Sequence, residues 1–220
     1  MSGAGMRDDV VRIDGAAPVT PSLVEEFQAL CDRVEDGLGA GLTTVYVSGT
    51  PAGGRSGELS VGLVTKWERV LRRLERLPTP TATVLSGDCG GAALDVALAT
   101  DFRVAEPGAR LVVAVDGDAT WPGMALFRLA RLSGGAIRRA ALLGVPMDAS
   151  RALTVGLVDA VTVDPGPVLL ELAEQSEGLA GSELAIRRQL LADAVRTSFE
   201  EALGSHLAAC DRTLRRGAGA

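Results

Sequence analysis

Between Thr79 and Asp101 the chain reads TPTATVLSGDCGGAALDVALATD. The β-branched and apolar run up to Val84-Leu85 predicts a buried strand, and Leu94 to Ala99 predicts a helix. The residues between them, Ser86 to Ala93, carry no bulky side chain. A strand passing through such an elbow into a helix lets the backbone approach a ligand closely. The first N–H groups of the helix have no intrahelical partner and can receive an anion or an oxyanion. Asp95 falls in the first turn, where the helix dipole favours a carboxylate. Glycines in a tight strand–helix turn serve packing equally well, so this segment alone leaves both readings open.

A chain of 220 residues is long enough for one core with a small appendage. At 47% hydrophobic and 23% charged residues it reads as globular rather than disordered. No apolar run approaches the length of about 18 residues that a membrane helix needs. The start, MSGAGMRDDVVRID, lacks the basic-then-apolar order of a signal peptide. Cys31, Cys89 and Cys210 are widely spaced and form no C-x-x-C pair, which predicts reduced thiols in a cytoplasmic protein and no metal site. A net charge of −6 gives no reason to expect a nucleic-acid partner. Lys66 is the only lysine, which excludes a lysine-rich phosphate clamp. His206 is the only histidine and no G-x-S-x-G elbow is present, so triad hydrolysis is not expected.

Strands and helices alternate. Val10–Asp14 predicts a short strand, followed by a helix capped by Thr20 or Ser22 with Leu23, Phe27, Leu30, Cys31 and Val34 on one face. Thr43–Val47 is a β-branched strand, and Ser48 to Gly57 a glycine-rich loop. A helix from about Leu59 to Leu77 buries Leu63, Trp67, Val70, Leu71 and Leu74, and its other face carries Lys66, Arg69, Arg72, Arg73 and Arg76 with Glu68 and Glu75. Beyond the elbow, strands are predicted at Phe102–Ala105, Arg110–Val115 and Val158–Val163. Helices are predicted at about Pro122–Leu132, Ala136–Leu143 and Ala149–Val155. This order predicts an α/β core built by crossovers, residues 1–165, and a helical C-terminal arm, residues 166–220.

Two blocks carry a resemblance. Thr79–Asp101 is similar to the Pro-strand-N-G-x-x-x-G-G-G-x-E-L-A-x-x-C-D block of the crotonase (enoyl-CoA hydratase/isomerase) superfamily. Ala141–Val161, ALLGVPMDASRALTVGLVDAV, is similar to its L-T-G-x-x-x-x-A-x-x-A-x-x-x-G-L-V block. Pro122-Gly123 falls on the family's I-P-G turn and Arg103-Val104-Ala105 on its D-x-R-I-A strand. The resemblance implies the ClpP/crotonase ββα superhelix. Within the family, V-R-I-D-G, the helix at residues 63–77, S-G-D-C-G-G-A-A-L-D and W-P-G-M-A resemble one branch. That branch is the B-type accessory subunits of dihydroxyphenylacetyl-CoA synthase in glycopeptide-antibiotic pathways, which work beside a type III polyketide synthase.

The family reaction holds a thioester carbonyl on two backbone N–H groups, each donor being worth about 3–4 kcal/mol in the transition state. By the family pattern, counted back from Asp101, Ala92 is one donor, with Gly91 beside it in contact with substrate. The best counterpart for the other is Glu58, with Gly57 and Gly54 as competitors. Asp95 falls on the first catalytic glutamate; equally, it could be a helix-end carboxylate satisfying its own backbone. Val115 falls on the second glutamate and can carry no proton, which leaves Asp116 or Asp118 to act in its place unless they simply form a turn. Trp121 could line an acyl pocket or belong to the core, and Arg55, Arg128 and Arg131 could meet CoA phosphates. Cys89 is expected to be inert packing and His206 a surface residue.

The resemblance implies an acyl-CoA substrate whose CoA is its own carrier, with no separate cofactor. It further implies dehydration and aromatisation of a polyketide-derived acyl-CoA, with the synthase and other crotonase-family enzymes as partners. The apolar arm residues Leu184, Leu190, Leu191, Val195, Phe199, Leu203 and Leu207 would join a homo-oligomer (trimer or hexamer) or a hetero-oligomer. A general enoyl-CoA hydratase and a catalytically silent scaffold for a partner enzyme remain as alternatives.

Overall fold

The structure, a computed structural model, describes residues 11–37, 41–53, 59–116, 119–177, 182–195, 197–204 and 206–208. In chain order its elements are β1 (Val11–Asp14), α1 (Pro21–Glu35), β2 (Thr43–Gly49), α2 (Val61–Leu74), β3 (Thr81–Cys89) and α3 (Ala92–Ala99). Then come β4 (Phe102–Ala105), β5 (Arg110–Leu111), β6 (Val115–Asp116), β7 (Ala119–Thr120) and α4 (Ala125–Ser133). A 3₁₀ turn (Gly134–Ile137) leads to α5 (Arg138–Leu143), β8 (Met147–Asp148), α6 (Ala149–Thr154), β9 (Ala160–Val161), α7 (Gly166–Ser176) and α8 (Ser182–Ala194). Among these residues no helix is long and apolar enough to cross a membrane.

The α/β architecture is the one expected. Strands β1-β2-β3-β4-β9 lie side by side and pair in parallel. Parallel neighbours require crossovers, and α1, α2 and α3 supply the first three. Thr20 caps α1 by accepting the Leu23 N–H at 3.2 Å, and Ser60 caps α2 by accepting the Leu63 N–H at 3.2 Å. These caps fix where each helix starts. For α2 the cap places the start at Val61, two residues later than its apolar spacing suggested. Phe27 on α1 and Trp67 on α2 meet edge-to-face, with ring centroids 5.4 Å apart, in the core between the two helices.

Strand β3 departs from expectation. It continues through Ser86–Cys89 instead of ending at Leu85, because it changes partner part-way. Its first half pairs with β4, whereas Asp88 and Cys89 pair with Arg110 and Leu111 of β5. On the other edge Val47 faces Leu85 but Gly49 faces Cys89, so two extra residues bulge around Gly87, whose φ is 59°. The predicted strand Arg110–Val115 is likewise divided. Arg110–Leu111 belongs to the main sheet, and Val115–Asp116 forms a small antiparallel hairpin with Ala119–Thr120.

All eight residues of α3 are buried. A helix apolar on every face belongs in the interior, and α3 lies among β1, β2, β3, α2 and α4. Arg103 on β4 closes its C-terminal end. The buried guanidinium donates to the carbonyls of Ala97 (3.4 Å) and Thr100 (2.6 Å), satisfying acceptors a helix end leaves open, and also reaches Asp101 O (3.2 Å) and Leu157 O (2.6 Å).

Candidate active site

The elbow itself is two residues long. Gly90 and Gly91 join β3 to α3, and Gly91 sits at φ 53°, ψ −129°, a conformation closed to side chains. A Cβ on Gly91 would lie 2.8 Å from Pro51 Cγ, and one on Gly90 would lie 2.2 Å from Thr50 Oγ1. The loop after β2 is thus packed directly onto the elbow. Helix α3 begins at Ala92 rather than Leu94, so the Ala92 N–H is the first of the helix and has no partner inside it. No described residue other than glycine has positive φ, which is the condition alanine needs at that position.

Asp95 lies one turn further on and shares a helix face with Ala92. It is fully buried, the one ionisable side chain in a helix of alanine, leucine and valine. Its Oδ2 accepts two indole N–H groups, from Trp121 at 2.8 Å and from Trp67 at 3.4 Å. Oδ1 is buried and has no hydrogen-bond partner among the described residues. Burial pushes the Asp95 carboxyl up to about 6, against the pull of the Trp121 hydrogen bond. Glu68 adds to the rise, while Arg128 and the Trp67 bond oppose it.

Three elements meet at this carboxyl. Trp67 comes from α2. The β6–β7 hairpin, closed where Trp121 N–H donates to Ala114 O at 3.3 Å, delivers Trp121. Gly123 follows, and a Cβ there would lie 2.4 Å from Asp95 Oδ2 and 2.6 Å from Oδ1. Behind the turn, Glu68 on α2 accepts the Met124 N–H at the start of α4 (2.8 Å) and pairs with Arg128 at 2.8 Å. Arg128 also reaches Glu75 at 2.8 Å. Against the two tryptophans and Gly123 a cavity of about 10 Å³, room for one water molecule, is lined also by Val19, Leu59, Val64 and Pro122. Leu59, Val64 and Pro122 also border a groove of about 850 Å³ between α2 and α4.

The structure brings Gly91, Ala92, Asp95 and Trp121 together. Trp121 follows the core reading of its sequence position, being buried in the apolar cluster, and it also holds the carboxylate, which neither reading contained. The other oxyanion candidates, Gly54, Gly57 and Glu58, lie outside the described residues, as do Arg55, Asp118 and Cys210. Asp116 pairs with Ala119 in the hairpin, and its side chain lies outside what is described. Val115 is 48% exposed.

One phosphate-binding expectation is corrected. Arg128 is buried and committed to Glu68 and Glu75. Arg131 donates to Ala192 O at 2.5 Å and lies over the Phe127 ring. Cys89 is buried with its thiol pushed up to about 12, mainly by desolvation, and is inert as a nucleophile. His206 is exposed, its Nδ1 3.1 Å from Ala202 O.

The sequence reading missed the part played by Trp67, which looked like one more member of an apolar stripe. A usable signal was present. The chain has two tryptophans, a buried indole N–H needs an acceptor, and Asp95 is the carboxylate in the most apolar helix.

A parallel sheet whose third strand turns through two glycines into a buried helix bearing one carboxylate defines an α/β protein of the crotonase architecture. The chain is 54% identical over 208 residues to an Amycolatopsis orientalis protein named enoyl-CoA-hydratase, covering 94% of this chain and 96% of that one, and it belongs to the enoyl-CoA hydratase family. Among solved structures it is similar to an enoyl-CoA hydratase from Bacillus anthracis, with a TM-score of 0.74, 20% identity and coverage of 94% of this chain and 88% of that one. It is also similar to an enoyl-CoA hydratase/isomerase family protein from Silicibacter pomeroyi, with a TM-score of 0.75, 18% identity and coverage of 94% and 95%. At these identities the structural likeness speaks for the fold. No protein-family model matches the chain.

Proposed function

We propose that this protein acts on an acyl-CoA thioester by proton transfer through a single carboxyl group, Asp95, and that the substrate is a polyketide-derived acyl-CoA processed beside a type III polyketide synthase. The observation that carries the chemistry is the Asp95 carboxyl, buried on the elbow helix with one oxygen anchored and the other unpaired. The relation to a protein named enoyl-CoA-hydratase supports the reaction class. The finer substrate rests on the segments that resemble the accessory-subunit branch.

In this reading the Ala92 N–H and a second donor, Glu58 by the family pattern, hold the thioester oxygen as charge develops on it. The ionised Asp95 carboxylate takes the proton from the carbon next to the carbonyl, giving an enolate. The same carboxyl then delivers that proton to the β-hydroxyl as the C–O bond breaks, so that water leaves, the double bond forms and Asp95 returns to its ionised state. Once an enolate carbon of the polyoxygenated chain has attacked a ketone carbonyl of the same chain, closing the ring by a C–C bond and leaving a hydroxyl there, repeated eliminations of water and tautomerisations make that ring aromatic. The working form is the carboxylate, so kcat/KM rises with pH through about 6. The arm, residues 166–220, belongs in this reading to an oligomer, homomeric or formed with the synthase.

Incubating the synthase and malonyl-CoA with and without this protein, and measuring dihydroxyphenylacetyl-CoA, tests the reading. Product formation is expected to rise with the protein present, and Asp95→Asn to remove the gain by about 10²-fold or more. A second reading, a non-catalytic scaffold for the synthase, is favoured by the complete burial of Asp95, whose carboxyl is packed against both indoles and Gly123. It predicts that Asp95→Asn leaves the gain intact.

A further inference from the structure

Both tryptophans of the chain point their indole N–H groups at one oxygen of one carboxyl. Trp121 reaches Asp95 Oδ2 at 2.8 Å from the turn after β7, and Trp67 reaches the same atom at 3.4 Å from α2. The other oxygen, Oδ1, has no partner among the described residues although it is shut off from solvent. The two indole N–H groups account for one acceptor oxygen at this position, but not for a second oxygen buried without a partner at a cost of about 1–3 kcal/mol. On the remaining side the carboxyl lies against Gly123, where any side chain would strike both oxygens.

We propose that Trp67 and Trp121 are positioning residues that anchor Oδ2 and so reserve Oδ1 as the atom that takes and returns the proton. The proposal rests on the reading of Asp95 as the proton-transferring group. The charged groups facing Asp95 are Glu68 from α2 and Arg128 from α4. These two are paired with each other at 2.8 Å and act on Asp95 in opposite directions, the raising effect of Glu68 being the larger. The indole N–H groups are the contacts that favour the ionised carboxyl directly. Donors to an anion lower its pKa, so removing either indole N–H moves the titration upward.

The test uses the full chain labelled with ¹⁵N in its two tryptophans. Both indole N–H resonances are expected to titrate together with a midpoint near pH 6, and neither to titrate in Asp95→Asn. In Trp121→Phe the remaining Trp67 resonance is expected to titrate about one pH unit higher. Trp67→Phe should shift the Trp121 resonance less, because its bond is the longer one. The acid limb of kcat/KM should move in step with each variant while KM stays in place. Indole resonances that ignore pH, or a Trp121→Phe midpoint at the wild-type value, would overturn the anchoring whatever the activity does. Should the phenylalanine variants fail to fold, the comparison of wild type with Asp95→Asn still decides that point. Full product formation by Asp95→Asn would overturn the catalytic reading, and with it the role of Oδ1, even with the indole titrations as expected.

Discussion

Asp95 is a residue whose chemistry and stability contributions oppose each other. In an unfolded chain its carboxyl titrates at 3.8, whereas in the folded protein burial holds it near 6. The folded state therefore binds more protons than the unfolded state between these values, and stability falls as pH rises across that window. Below pH 3.8 the protonated group carries no penalty; above 6 the ionised group carries all of it, about 3 kcal/mol. Asparagine cannot ionise and keeps an oxygen for the two indoles. Urea unfolding at pH 4 and at pH 7 should show wild type losing about 2.4 kcal/mol relative to Asp95→Asn between the two conditions. An unchanged difference would mean that the carboxyl is neither as dry nor as poorly paired as described. A residue that weakens the fold at neutral pH is more readily explained by function than by packing.

The elbow was legible at the scale of the element, but its boundaries were not. Gly90-Gly91 and the small residues around them marked a close turn, and Asp95 stood in the right register for a carboxyl one turn into the helix. The strand's true end at Cys89 depends on Gly49 and Leu111, partners from separate elements, which no local pattern contains. Likewise the donors to Asp95 stand 28 and 26 residues away in sequence, and Arg128 looked like a free surface charge because Glu68 and Glu75 meet it only through the α2–α4 contact. The elbow makes its own prediction. Gly91→Ala forces a side chain onto a backbone at φ 53° and against Pro51, and should cost about 2–3 kcal/mol. Gly108→Ala, with open space where its Cβ would go, should be within about 0.5 kcal/mol of wild type. Equal stabilities in thermal unfolding would refute the strained turn.

Across the whole molecule the core and the C-terminal helices are held together in contrasting ways. The core is a continuous apolar cluster running from Val11 to Val158, and its alternating strands and helices were readable because each element's apolar spacing answers to that one interior. Helix α7 buries no residue, and further along Leu191, Val195, Phe199, Leu203 and Leu207 repeat every four residues and are exposed. What ties α8 to the core is largely polar. Arg131 reaches Ala192 O, and Arg188 donates to both oxygens of Asp101, to Thr79 O at 2.9 Å and to Leu77 O. Asp101 is held in turn by the N–H and hydroxyl of Thr81, so the guanidinium docks the arm onto the segment leading into β3 and onto the short link between α3 and β4. No periodicity announces such a contact, because it depends on one long side chain meeting carbonyls 109 and 111 residues away. Arg188→Ala should therefore loosen the arm without unmaking the core. Hydrogen exchange across residues 182–195 is expected to speed up by about 10- to 100-fold, corresponding to a loss of about 1.5–3 kcal/mol for charge-assisted bonds, while exchange in β2 and β3 stays slow. Arg188→Lys should recover only part of the protection, since an ammonium cannot span two carbonyls and a carboxylate in the plane that a guanidinium covers. Uniform acceleration through β2, β3 and α8 would instead make arm and core one cooperative unit, and unchanged exchange in α8 would remove Arg188 as its anchor.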